Sequence, residues 1–172
     1  VTLGSVDAIA GVCDARYMSV PEVCERLSSG KIVDCGSSVD VNVESLLQLS
    51  PEAAWVIPFK NGGYGKMERL NIPLIECVDY MEESPLGCAE WVRFYGRLLG
   101  VEEKADSLFV AVCNNYERIK KVVASCDVRP RLMCELKIGS AWYMPGGGST
   151  MGQLYRDAGA DYIFGDNNNS GS

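Results

Sequence analysis

Apolar residues along this chain fall into short runs, at residues 9–13, 32–35, 53–59, 74–78 and 132–136, with a sixth at 162–164. Between them the spacing predicts short helices over 21–29, 43–49 and 64–70, each followed by Gly, Pro or a polar turn. Ser84-Pro85 reads as a cap followed by Pro at the first helical position, opening a longer helix that runs to Leu99 and stops at Gly100. From 102 to 126, apolar residues recur at 105, 108, 109, 112, 116, 119, 123 and 126 with charges opposite, which predicts one unbroken helix. At 1.5 Å per residue it would be about 37 Å long. Its period drifts from strict heptads, so it reads as a strut and not a coiled coil. After Arg129-Pro130 the strand-like RLMCELK, an aromatic glycine-rich loop and a helix over 148–158 resume the alternation.

Strands alternating with helices predict an α/β fold: a parallel-sheet lobe with helices on both faces, one long connecting helix, and the start of a second α/β lobe. The corresponding divisions are 1–100, 101–127 and 128–172. The densest local pattern is KIVDCGSSVDVNVESLLQLSPEAAWV, residues 31–56. An apolar run leads through a small-residue loop to Asn42, which can cap a helix whose apolar face is Val43, Leu46, Leu47 and Leu49. Pro51 stops that helix and a second apolar run follows. Glu44 then lies in the first helical turn, where the helix dipole favours a carboxylate by about 0.3–1 kcal/mol.

Composition narrows the chemistry. The 172 residues are 47% hydrophobic and 23% charged, as in ordinary globular chains, and carry a net charge of −7. No basic run exceeds Lys120-Lys121, so nucleic acid is not an expected partner. Histidine is absent, which removes Ser-His-Asp and Cys-His nucleophile systems and His-based metal sites. The eight cysteines are spaced 11, 11, 42, 11, 25, 13 and 8 apart, with no C-x-x-C. Cys13, Cys35, Cys77 and Cys134 sit in apolar runs and read as small hydrophobes. No apolar run approaches the roughly 20 residues that span a membrane. The start on VTLGSVDAIAGV without Met, and the polar end over 166–172, suggest a piece of a longer protein.

Four segments, in order, resemble the periplasmic substrate-binding proteins of ABC importers for cobalamin and ferric siderophores. They are LGSVDAIAGV, VNVESLLQLSPEAAWV, LNIPLIECVDYMEESPLGCAEWVRFYGRLLGVEEKAD and SAWYMPGGGSTMGQLYRDAGADYIF. The resemblance covers nearly all of the chain and is to the class whose two α/β lobes are joined by one long helix. It implies a non-enzymatic protein, periplasmic and lipid-anchored, that binds cobalamin, haem or a ferric siderophore between lobes and docks on ABC permease subunits. No resident cofactor or metal is implied. It places Glu44 where the family carries a docking acid; the alternative, an ordinary first-turn acid, stands beside it. Relative to the family, a first strand before Val1 and most of a second lobe after Ser172 are missing. That predicts a homo-oligomer through strand exchange or edge pairing, or RLMCELK filling the vacant strand position.

Open α/β sheets bind ligands at the carboxyl ends of their strands. The loops there carry Tyr17, Ser38, Phe59, Asn61, Tyr64, Trp142 and Tyr143, the candidate ligand-binding residues. Aromatic faces suit large flat chelates of the kind the resemblance implies; anchoring each loop to its own core is the competing role. Trp55 in a strand and Trp91 on a helix read as core. Gly146-Gly147-Gly148-Ser149-Thr150 before a helix could cradle a phosphate, which keeps an α/β enzyme using a nucleotide or phosphate-bearing cofactor as the alternative function. The loop lacks the Lys and spacing of a P-loop, and a hinge or tight turn is the competing reading.

Overall fold

A computed structural model describes residues 1–58, 63–135 and 137–171. The chain divides into two compact units, Val1–Val78 and Asp79–Ser172. The first unit contains β1 (Gly11–Val12), α1 (Pro21–Ser28), β2 (Val33–Asp34), β3 (Gly36–Ser37), β4 (Asp40–Val41), α2 (Val43–Leu49), β5 (Ala54–Val56) and β6 (Leu74–Glu76). The second contains α3 (Pro85–Leu98), α4 (Glu102–Ala124), β7 (Arg131–Leu132), β8 (Lys137–Ile138), β9 (Ala141–Trp142), α5 (Thr150–Asp157) and β10 (Asp161–Tyr162). This division differs from the one read from the sequence, because α3 groups with α4 and not with the N-terminal strands.

In the first unit, β1 and β2 pair in parallel, Gly11 opposite Val33 and Val12 opposite Asp34, with α1 as the crossover. Pro21 starts α1 and Gly30, at φ +73°, turns the chain out of it. Leu3, Val23, Ile32 at 1% exposure, Cys35, Leu46 and Cys77 form the buried apolar set among the described residues of this unit. Gly11 lets this set close: an added Cβ would lie 2.7 Å from Cys35 Sγ and 2.8 Å from Leu49 Cδ1. The side chain of Asn42 caps α2, its Oδ1 accepting from Ser45 N at 3.1 Å, and Ser50 ends the helix at φ +46° before Pro51. β5 and β6 form a second parallel pair, with Trp55 opposite Ile75.

In the second unit, Ser84 caps α3 by accepting from Gly87 N at 3.0 Å, and Gly100 at φ +65° swings the chain into α4. The helices meet at small residues: an added Cβ on Gly96 would sit 2.3 Å from the Cβ of Ala105, itself fully buried. The 23 residues of α4 are unbroken. Tyr116 Oη donates to Asp157 Oδ2 at 2.7 Å, tying α4 to α5, and Lys120 Nζ stands 3.6 Å from the same oxygen. Burial, and then that hydrogen bond, push the Tyr116 phenol upward from its usual range. β7 and β10 pair in parallel, Leu132 opposite Tyr162.

The α/β class is as expected, with every expected apolar run contributing a strand, but several details differ. RLMCELK is not one strand: pairing stops at Leu132, and Glu135 takes a left-handed φ of +73°, which breaks an extended run. β7 takes β10 as its partner, which corrects the expectation that it fills a vacant first-strand position. The helix expected over 64–70 is a short 3-10 turn, Gly65–Arg69. Trp55, expected in the core, is 47% exposed, and Ile57 two residues on is 56% exposed. Leu47 is likewise exposed, leaving Leu46 as the buried anchor of α2. Two antiparallel hairpins, β3–β4 and β8–β9, were not expected.

Candidate functional site

The carboxyl ends of β1 and β2 lie side by side because the pair is parallel, so the loops leaving them share one edge. Asp14 fastens these loops together. Its N–H donates to Gly36 O at 2.7 Å, and its Oδ2 accepts from Ser38 N at 2.9 Å. This takes a left-handed backbone at Asp14, φ +53°, a conformation that Asp tolerates better than most residues. The Ser38 hydrogen bonds hold the Asp14 carboxyl below its ordinary range, and Arg16 nearby adds to the effect. Asp14, Ala15, Arg16, Asp34, Gly36 and Ser37 line an open hollow of about 260 Å³.

Tyr17 projects from the 3-10 turn Ala15–Tyr17 at the lip of this loop pair and is 72% exposed. The Arg16 guanidinium stands 4.6 Å from its ring centre, a cation–π contact that steadies the ring without covering it. Ser38 belongs to the β3–β4 turn and contributes its backbone N–H to Asp14. The two loops carrying Tyr17 and Ser38 are thus brought together. Tyr64 is half-buried and held differently: its Oη donates to Glu76 Oε1 at 2.8 Å, at the carboxyl end of β6, and its N–H donates to Glu68 Oε1 at 2.5 Å. Phe59 and Asn61 lie outside the described residues.

Trp142 and Tyr143 belong to the second unit, at and after the β8–β9 hairpin, and are 46% and 56% exposed. Trp142 Nε1 donates to Glu135 O at 3.1 Å, so the left-handed residue three positions past β7 also orients this indole. Glu44 is exposed in the first turn of α2, directly after the Asn42 cap. Trp91 is half-buried, with Nε1 donating to Glu82 Oε1 at 2.7 Å.

The glycine-rich loop is a packing device. Gly146 N donates to Gly171 O at 2.8 Å and Gly148 N to Asn167 O at 3.0 Å, so amides that a phosphate would need are engaged by the chain itself. An added Cβ at Gly146, Gly147 or Gly148 would fall 2.1, 2.2 or 2.6 Å from the carbonyl oxygens of Asn169, Gly165 or Asn168. Ser149, buried, caps α5 by accepting from Gly152 N and donates to Gly146 O at 2.6 Å. Among the described residues, no group of three His, Cys, Asp or Glu side chains could hold a metal ion, and no helix is long and apolar enough to cross a membrane.

The sequence pattern marks these loops as ligand candidates but does not single out Asp14 or Glu76, the residues that set the geometry of the Tyr17–Ser38 loops and of Tyr64. The available signal was a lone Asp just past a strand, followed by small residues in the neighbouring loop.

Parallel βα units, strand-end loops and one long helix define an α/β protein. The chain belongs to the periplasmic binding protein family, which it matches over residues 2–172. It is similar to the uncharacterized lipoprotein MJ0878 of Methanocaldococcus jannaschii, at 28% identity over 156 residues, or 88% of this chain and 37% of that protein. Its fold matches the haem complex of Staphylococcus aureus IsdE with a TM-score of 0.64 and 16% identity, covering 94% of this chain and 61% of that one. The vitamin B12 binding protein BtuF of Vibrio cholerae gives 0.62 and 14%, covering 95% and 60%. The chain therefore spans 37% of the length of the relative and about 60% of the length of the two solved structures.

Proposed function

We propose that this protein is the substrate-binding component of an ABC importer, carrying an iron chelate (haem or a ferric siderophore) or cobalamin without chemical conversion. The observation that carries the reading is the family match along residues 2–172. The chemistry of the loops supports it. Tyr17 in the first unit and, separately, Trp142 and Tyr143 in the second expose large aromatic faces at or near strand ends, the kind of surface that covers an extended chelate with few polar contacts. The haem and vitamin B12 named for the two structural neighbours are chelates of that kind. Glu44, exposed at a helix start, is the acid we assign to docking on a permease, where it would meet an Arg in a charge-assisted contact. A location outside the cytoplasm with a lipid anchor accords with the family and with the lipoprotein name of the relative. The engaged amides of the glycine loop argue against a nucleotide-using enzyme.

The test is to incubate the purified protein separately with haem, cobalamin and ferric siderophores, desalt it, and record the visible spectrum. Retention of one chelate at about one per protein is expected. Loss of all of them on desalting, with no spectral shift beforehand, overturns the reading.

A further inference from the structure

We infer that Cys13 and Cys35 are a redox pair which closes to a disulfide beneath the Tyr17 and Ser38 loops, oxidised by a disulfide-bearing thiol reagent or oxidoreductase. The two residues extend the β1–β2 ladder by one step past Val12 and Asp34. Cys35 N donates to Val12 O at 2.8 Å, the bond that in a parallel ladder sets residue 35 opposite residue 13. Neighbouring strands are about 4.8 Å apart, within the Cα separation of about 4.4–6.8 Å that a disulfide bridges.

Both thiols lie on one face. Gly11 and Cys13, two apart on a strand, project to the same side. The Cys35 sulfur lies 2.7 Å from where a Gly11 Cβ would be, which puts it on that side too. Its present weak acceptor is Val33 O at 3.8 Å, and a change of χ1 swings it towards Cys13. Burial chiefly, and then the Cys35 sulfur, push the Cys13 thiol upward, consistent with the two groups sharing a site.

The chemistry balances with oxidised glutathione. Cys13, half-buried and the accessible member, attacks as thiolate, forming a mixed disulfide and releasing one glutathione. Cys35, buried, then attacks the Cys13 sulfur and releases the second. Two cysteine thiols are oxidised, one glutathione disulfide is reduced, and the two thiol protons end on the two glutathiones. The bond would tie together the ends of β1 and β2, just below the clasp that Asp14 makes with Gly36 and Ser38. Raised thiol pKa values make this closure slow at neutral pH and faster in mild alkali.

The experiment is oxidation of the folded protein with oxidised glutathione, alkylation of remaining thiols, and mass mapping of unreduced peptides. The expected product is a peptide pair joined through Cys13 and Cys35, absent from Cys13→Ser, in which Cys35 stays a free thiol. Circular dichroism of Cys13→Ser, a half-buried position, checks that it folds. The proposal is overturned if Cys13 stops at the glutathione adduct in wild-type protein, or if either cysteine pairs preferentially elsewhere. This readout is independent of whether any chelate binds.

Discussion

Two glycine- and serine-rich loops in this molecule look alike in sequence and do opposite things. The Gly36-Ser37-Ser38 loop is fastened at its base by Asp14 and leaves an open hollow with an exposed tyrosine at its lip. The Gly146-Gly147-Gly148 loop is filled by its own chain, its amides bonded to the segment over 165–171 and its Cα atoms pressed against that backbone. Glycine content therefore does not identify a ligand loop. What separates the two is whether backbone donors and space have already been consumed.

The comparison breaks most sharply at Gly147. Gly147→Ala puts a methyl group 2.2 Å from Gly165 O, a backbone atom that cannot swing aside. A loss of about 3 kcal/mol of unfolding free energy, the upper end of what overpacking costs, is expected in urea titration; an effect under about 1 kcal/mol would mean the loop is loose enough to host a ligand. Ser149→Ala comes next, since its buried hydroxyl both caps α5 and donates to Gly146 O. It should cost about 2 kcal/mol, against about 1 kcal/mol or less for the exposed cap change Asn42→Ala. Equal costs would remove the distinction between the packed and the open region.

Asp14 offers a smaller, pH-dependent test. Its folded-state pKa is depressed, chiefly by Ser38. The stability it supplies is therefore present above the unfolded carboxyl pKa of about 3.9 and is lost as pH falls through the lower folded value. Asp14→Asn should lower the urea midpoint above about pH 4 and flatten its fall towards about pH 2 by the same amount, since the stability missing at pH 7 is the stability that the wild type loses on acidification. An unchanged acid slope would show that the clasp is not formed in solution. Smallest of all is Glu44→Ala, expected to shift stability by less than about 0.5 kcal/mol and chelate affinity by less than about twofold. Affinity for the permease should fall much further, and equal weakening of both would remove Glu44 from the docking role.

Helix ends were the most legible part of the chain. Asn42 and Ser84 act as the caps their sequence contexts suggest, and the long helix stands within two residues of its expected end, because capping and period are local properties. The β3–β4 and β8–β9 hairpins were not legible. Their strands are two residues long, too short for any alternation to show, and they are set by turns at Ser38-Val39 and Gly139-Ser140. Trp55 shows the limit of residue type as a guide to burial, since a strand-borne Trp is buried only where another element covers its face. At the candidate site, strand-end position could be read from element order. The Asp14 clasp could not, since it joins residues 24 apart through a left-handed backbone that no local pattern announces.

The central claim, that a metal chelate binds over the open strand-end loops, is tested most directly by absorbance titration of wild-type protein and Tyr17→Ala, side by side, with the chelate that the wild type retains. Tyr17 is 72% exposed, so its removal should leave stability nearly unchanged while removing an aromatic face from the site. Saturable binding is predicted for both, with Tyr17→Ala weaker by about tenfold, or about 1.4 kcal/mol. Identical affinities for the two proteins would contradict the claim and move the ligand away from the Asp14–Ser38 loops.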